Sequence, residues 1–157
     1  MDRARFRTLA AVTAGSTFLL MCVGAYTKAI GAGLACPDWP TCYGTWVPFL
    51  HPGVMADAPY STWQVFAEWA HRTLAALTGL LIAATGVAAW LTDGRDRPEQ
   101  AALLAAALLP VQVLLGGLTV TRGLQPLIVT AHLGAAVLIF AGVVTAAVGY
   151  RSRGAPV

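Results

Sequence analysis

The chain has 157 residues, of which 57% are hydrophobic and only 11% charged, with a formal net charge of +3 at pH 7. Its mean hydropathy of +0.68 excludes an ordinary water-soluble domain, which needs far more charge to cover its surface. The basic residues stand in short clusters beside apolar runs rather than along one face, which excludes a nucleic-acid partner and speaks for membrane orientation.

Four apolar runs follow in chain order, at about 9–26, 69–91, 101–120 and 127–150. Each is near the ~20 residues that cross a hydrocarbon core as a helix. No run alternates with period two, and an open sheet would leave backbone groups unpaired in lipid. The expectation is therefore an all-α fold: a single integral-membrane four-helix bundle over residues 1–157. Aromatic residues near the run ends (Phe6, Tyr26, Trp63, Trp69, Trp90, Tyr150) suit the interface with lipid. Arg3, Arg5 and Arg7 precede the first run, Arg95 and Arg97 separate the second and third, and Arg151 and Arg153 follow the fourth. The other side carries only Lys28 and Arg122, with Arg72 at a helix mouth. The positive-inside rule then predicts cytoplasmic N- and C-termini and an outer loop over 27–68. The basic start could also open a cleaved signal, but the apolar run is long for a signal core and Cys36 lies well beyond its end, so retention is expected.

The outer loop holds Cys36-Pro37-Asp38-Trp39-Pro40-Thr41-Cys42. Two cysteines around a proline-stiffened interval can close a small ring, and outside a membrane a disulfide is the expected state. A staple for a loose loop and a redox-active pair both fit; with two thiolates and His51 alone, zinc does not. Cys22, within the first run, reads as a small buried hydrophobe.

At the outer mouth of the second run stands Glu68-Trp69-Ala70-His71-Arg72. Glu68 and His71, three apart, share a helical face, and ionisable groups at membrane depth are expensive. His132 lies six residues after Pro126 in the fourth run, and His71 seven after Gln64. At ~1.5 Å of rise per residue both imidazoles fall roughly 10 Å below the starts of two parallel helices. Facing each other across a bundle, two neutral imidazoles can supply both axial positions of a haem iron; a quinone pocket or unrelated polar contacts are the alternatives. Arg72 and Arg122 lie where propionates would need partners, since the guanidinium fork donates in pairs to carboxylates. Lipid head-group anchoring explains them equally. Gly79, Gly86, Gly116, Gly117, Gly134 and Gly142 allow close helix approach or room for a macrocycle. Gln112, inside the third run, is a buried polar group that must find a partner.

The segment Gly31 to Cys42, the run Glu68 to Arg72, the stretch Gln112 to Val120, and Pro126 to His132-Leu133 together resemble the haem A synthase family. The resemblance touches all four runs and the outer loop, and its specific part is Cys-Pro-Asp-Trp-Pro followed by Glu-x-x-His-Arg. It implies an oxidoreductase that converts haem O to haem A for terminal oxidases by oxidising a ring methyl to formyl. It further implies His71 and His132 as axial ligands, Glu68 as the acidic group near the reacting porphyrin edge, Cys36 and Cys42 as the outer-loop pair, and haem b as cofactor. The expected place is the cell membrane of a prokaryote. Typical members carry eight helices in two related halves, whereas these 157 residues hold one half and no internal repeat. A homodimer rebuilding the eight-helix body is the expected assembly; a haem O synthase or a terminal-oxidase assembly protein is the other partner considered. A bis-histidine cytochrome exchanging electrons with quinone is the alternative function. A disulfide-generating oxidoreductase and a non-catalytic haem carrier fit fewer of the residues.

Overall fold

Apolar runs bounded by capping residues become helices because a backbone in lipid must satisfy its own hydrogen bonds. The computed structural model describes residues 2–92 and 96–149. It contains α1 (Arg3–Ala29), α2 (Thr62–Leu91), α3 (Arg97–Thr121) and α4 (Pro126–Val148), with two short 3-10 turns, Pro48–Leu50 and Pro52–Met55, in the loop after α1. Arg95, Tyr150, Arg151 and Arg153, used above for sidedness and interface, lie outside the described residues.

The first three helices outrun their apolar stretches, because polar residues continue the ladder past the apolar span until a cap stops it, whereas α4 ends at Val148, short of the expected 150. Asp2 opens α1 by accepting the Arg5 backbone N–H at 2.8 Å. Ser61 and Gln64 form a reciprocal capping box that starts α2 at Thr62 instead of Trp69. The C-terminal ends of α1 and α3 close alike, with a glycine in the left-handed region: Gly31 at φ 72° and Gly123 at φ 58°. There the Ala32 N–H reaches the Thr27 carbonyl at 2.9 Å and the Leu124 N–H reaches Thr119 at 2.8 Å. Both are Schellman closures that reverse the chain.

Each helix packs on two neighbours, in the cyclic order α1, α2, α3, α4 and back to α1. Small residues set the spacing. A Cβ on Gly86 would stand 2.5 Å from the Ala106 Cβ, and one on Gly142 would stand 3.0 Å from the Ala101 carbonyl oxygen, so α3 approaches both flanking helices closely. Between α1 and α2 the interior is polar: the hydroxyls of Thr13 and Thr85 lie 2.9 Å apart, and those of Ser16 and Thr78 2.7 Å apart.

All four helices are long and apolar enough to cross a membrane. Their outward faces are apolar too, as Leu127 (81% exposed), Trp90 (75%) and Leu80 (69%) show. That inverts a soluble bundle, whose exposed faces carry the charge. Cys22 corrects an expectation. It is exposed on the outside of α1 instead of buried, because in lipid both faces of a helix are apolar and composition does not distinguish them.

The loop between α1 and α2 folds over the end of the bundle that holds the α3–α4 turn. A small core joins its Ala32, Ala35, Cys36 and Cys42 to Val65 and Ala67 of α2. Loop residue Gly33 meets the Leu124 side chain, 3.1 Å from where a Cβ would stand, so the cap reaches the α3–α4 turn.

Candidate functional site

Cys36 and Cys42 are joined by a disulfide, with Cα atoms 4.7 Å apart, and the ring they close is tied to α2 by two adjacent helical positions. Glu68, 3% exposed, accepts the Cys36 backbone N–H on Oε2 at 2.8 Å and an Arg72 N–H on Oε1 at 2.6 Å. Arg72 also donates to the carbonyls of Asp38 (2.5 Å), Thr41 (2.6 Å) and Cys36 (2.8 Å). The i, i+4 spacing puts carboxylate and guanidinium on one face of α2. Burial strengthens every bond between them because water no longer competes. Within the ring, Asp38 accepts from the Thr41 hydroxyl and from the Gly44 N–H. Burial alone would raise the Asp38 carboxyl, but these bonds outweigh it and hold the group below its ordinary value.

Beneath this clasp lie the histidines. His71 stands on α2 and His132 on α4. A Cβ on Gly24 of α1 would meet the His71 Cε1 at 2.8 Å, and one on Gly116 of α3 would meet the His132 Cε1 at 3.3 Å. Each imidazole therefore rests on a glycine of a neighbouring helix. Among the described residues, the Nδ1 atoms of His71 and His132 and the Oε1 of Gln112 are buried with no hydrogen-bond partner. The Gln112 Nε2 lies 3.5 Å from the His132 Nε2. The indole of Trp39, from the disulfide ring, lies 3.2 Å from where a Gly117 Cβ would stand. The neighbouring glycines Gly116 and Gly117 thus seat His132 and Trp39 in turn.

Orphaned buried polar atoms are rare because each carries a full desolvation penalty. Three in one layer of an apolar bundle fit a site for a bound group. Among the described residues no cluster of three or more His, Cys, Asp or Glu side chains could hold a metal ion by itself. A haem brings four nitrogens of its own and asks the protein for only two. The donor set and the glycine seats fit that group.

A family described as Cytochrome oxidase assembly protein matches residues 7–156. Over 129 residues the chain is 35% identical to a Heme A synthase of Shewanella oneidensis, covering 78% of this chain and 38% of that protein. The chain belongs to the haem A synthase family. It is also 28% identical over 145 residues to a Heme A synthase of Bacillus licheniformis, covering 91% of this chain and 44% of that one. A Protoheme IX farnesyltransferase of Halobacterium salinarum is 36% identical over 143 residues, covering 90% of this chain and 28% of that protein. This haem A synthase relative therefore spans less than half the length of the curated proteins it matches. No solved structure matches it.

Within this member of the haem A synthase family, two arginines expected to serve propionates stand differently. Arg122 lies exposed at the C-cap of α3, open to a carboxylate or a lipid phosphate. Arg72 points the other way. Four of its N–H bonds are directed at loop carbonyls and Glu68, and a guanidinium has five, so no bidentate fork is left for a propionate. Backbone carbonyls carry no sequence signature, which is why residue type alone pointed Arg72 to a ligand. Gly24 and Trp39 drew no individual role from the sequence, although a glycine within an otherwise bulky helix is a signal that something packs closely there.

Proposed function

We propose that this chain is a haem-binding oxidoreductase of the haem A synthase type, acting on haem O and oxidising a porphyrin methyl to formyl. The observation that carries the reading is the pairing of His71 and His132, each on a glycine seat with an orphaned ring nitrogen, in a family whose named members include heme A synthases. The bound haem supplies the iron and the conjugated ring on which the redox chemistry runs. The chain's own residues hold and shield it. His71 and His132 would hold its iron, each ring seated against a glycine of a neighbouring helix. Glu68 is the acidic group nearest His71 in sequence; two of a carboxylate's roughly four lone-pair sites are taken by Cys36 and Arg72, leaving capacity to accept a proton. Arg122 serves the propionates. The disulfide ring, with Trp39 against α3, closes the outer mouth and limits water, which strengthens electrostatic effects inside.

The termini are assigned to the cytoplasm and the Cys36–Cys42 ring to the outer side of a prokaryotic cell membrane, following the arginine clusters. Because the chain spans 28% to 44% of these relatives, the working unit is proposed as a homodimer. Within much longer proteins named for farnesyl transfer to protohaem, a stretch like this chain recurs, which supports a farnesyl-transferring haem O synthase as the partner that supplies substrate.

The test is extraction and chromatography of haem from protein co-expressed with a haem O source, beside His71→Ala and Glu68→Gln variants. Haem A or its hydroxylated intermediate in the parent, absent from both variants, supports the reading. Haem b alone, with no loss in the Glu68 variant, replaces the enzyme with an electron-carrying cytochrome. Since Glu68 also ties down the disulfide ring, tryptophan fluorescence of that variant must be read alongside to separate lost chemistry from a loosened cap.

A further inference from the structure

The aromatic side chains at the start of α2 continue the face that this helix turns toward lipid. Trp63 and Phe66 fall on the same helical stripe as the exposed Leu77, Leu80, Val87 and Leu91, reached in steps of three and four residues. Onto this stripe the loop after α1 folds back. The Phe49 ring packs 5.9 Å from that of Phe66 and 5.5 Å from that of Trp69, centroid to centroid. The Trp69 indole, which only donates, gives its N–H to the Trp46 carbonyl at 2.7 Å. A second indole sets the depth. Trp63 donates to the Tyr26 hydroxyl at 3.1 Å, where the ends of α1 and α2 meet. That hydroxyl keeps its own proton for a lipid head group or water. Trp69 lies six residues further into α2, roughly 9 Å nearer the membrane centre at the usual helical rise. The Trp46 carbonyl is held at that level. The chemistry of the segment suits the place, since no Asp, Glu, Lys or Arg occurs from 39 to 56. Pro48 and Pro52 bring no N–H, and in the short turns they open the Leu50, His51 and Val54 N–H groups bond to the carbonyls of Val47, Pro48 and His51, so these donors ask nothing of water. Trp46, Leu50 and Val54, spaced by four, are nevertheless exposed, the first two at 71% and 73%.

We propose that residues 46–55 form a strap seated in the membrane, with the Trp46, Leu50 and Val54 side chains among acyl chains at the head-group boundary of a phospholipid leaflet. Lipid is the occupant because the strap continues the face that α2 turns to lipid along its length, and an uncharged surface of tryptophan and leucine suits that boundary. Charge returns only at the exposed Asp57, just past the strap. Through the Phe49 contacts the strap tethers the loop that carries the Cys36–Cys42 ring to the bilayer as well as to α2. It depends on the membrane-spanning helices alone and stands whether or not haem binds.

The experiment places a nitroxide label on the full chain in phosphatidylcholine vesicles, with the exposed Cys22 removed as Cys22→Ala so that each label has one site. Leu50→Cys and Val54→Cys report the strap, Leu80→Cys the lipid face of α2, and Asp57→Cys the water side. All of these residues are exposed, so the labels require no repacking. Oxygen concentrates in lipid and a nickel chelate stays in water. At Leu50 and Val54 the ratio of oxygen to chelate collisions is expected to be several-fold higher than at Asp57 and to approach that at Leu80. Ratios equal to that at Asp57 overturn the proposal, because the strap is then in water. Labels shielded from both reagents overturn it as well, since protein then covers the face, and spin–spin broadening would identify that protein as a second copy. Trp46→Phe keeps an aromatic ring and decides the matter without a new cysteine should a labelled variant fail to fold. Phosphatidylcholine brominated along its acyl chains should quench a smaller share of tryptophan emission in this variant than in the parent. An equal or larger share overturns the proposal.

Discussion

At the scale of single residues, the site is governed by what stands directly behind each functional side chain. Gly24 leaves the space that the His71 ring fills, with a Cβ there falling 2.8 Å from Cε1 and 3.4 Å from both ring nitrogens. Gly24→Ala should favour the helix slightly, since alanine is the better helix former, yet force the imidazole out of place. Overpacking of this kind typically costs about 1–3 kcal/mol. The expected result is a melting temperature equal to or below the parent's, with haem affinity about tenfold or more weaker, measured by absorption titration. Asp38 makes a prediction in pH. Folding lowers the affinity of its carboxyl for a proton, so its contribution to loop stability is present above the ordinary value of 3.8 and is lost as pH falls through the lower folded value. Trp39, next in sequence and 43% exposed, should report this as a fluorescence change confined to acid pH that Asp38→Asn abolishes.

At the scale of elements, α2 is the member that joins cap to core. Within one turn it presents Glu68 and Arg72 to the disulfide ring and His71 to the interior. A lysine at position 72 keeps the charge but replaces a planar fork by a compact ammonium that cannot reach the same carbonyls together. Each lost bond from a charged donor is worth about 1.5–3 kcal/mol. Arg72→Lys should therefore loosen the ring from α2 while the helices stay folded. The expected observation is reduction of the Cys36–Cys42 bond by a mild thiol about tenfold faster than in the parent, read by labelling of the released thiols. An unchanged rate would show that the loop core of Ala32, Ala35 and Val65 holds the ring without the guanidinium.

At the scale of the whole molecule, four helices with apolar outward faces pack in a ring around apolar clusters, with two hydroxyl pairs between α1 and α2. Toward the end capped by the disulfide loop, glycines stand against the two histidines. The proposed homodimer belongs to this scale, since a twofold pair of bundles is the simplest assembly of one four-helix unit. Cross-linking in native membranes and native mass measurement in mild detergent should both give a species of twice the 16.3 kDa chain mass. Monomer alone under both conditions would leave a different protein as the partner.

All-helical architecture and four membrane-length helices are legible in the sequence because lipid permits few alternatives: an apolar run of that length must close its own hydrogen bonds. The histidine pair is legible for a related reason, since an ionisable side chain at that depth stands out against its neighbours. The partners of Arg72, the glycine seats of His71 and His132, the indole against Gly117 and the outward turn of Cys22 were decided only by the tertiary structure. These depend on rotation of each helix about its axis and on backbone carbonyls of a loop. Rotation leaves little trace in a sequence that is apolar on every face, and every residue presents the same carbonyl.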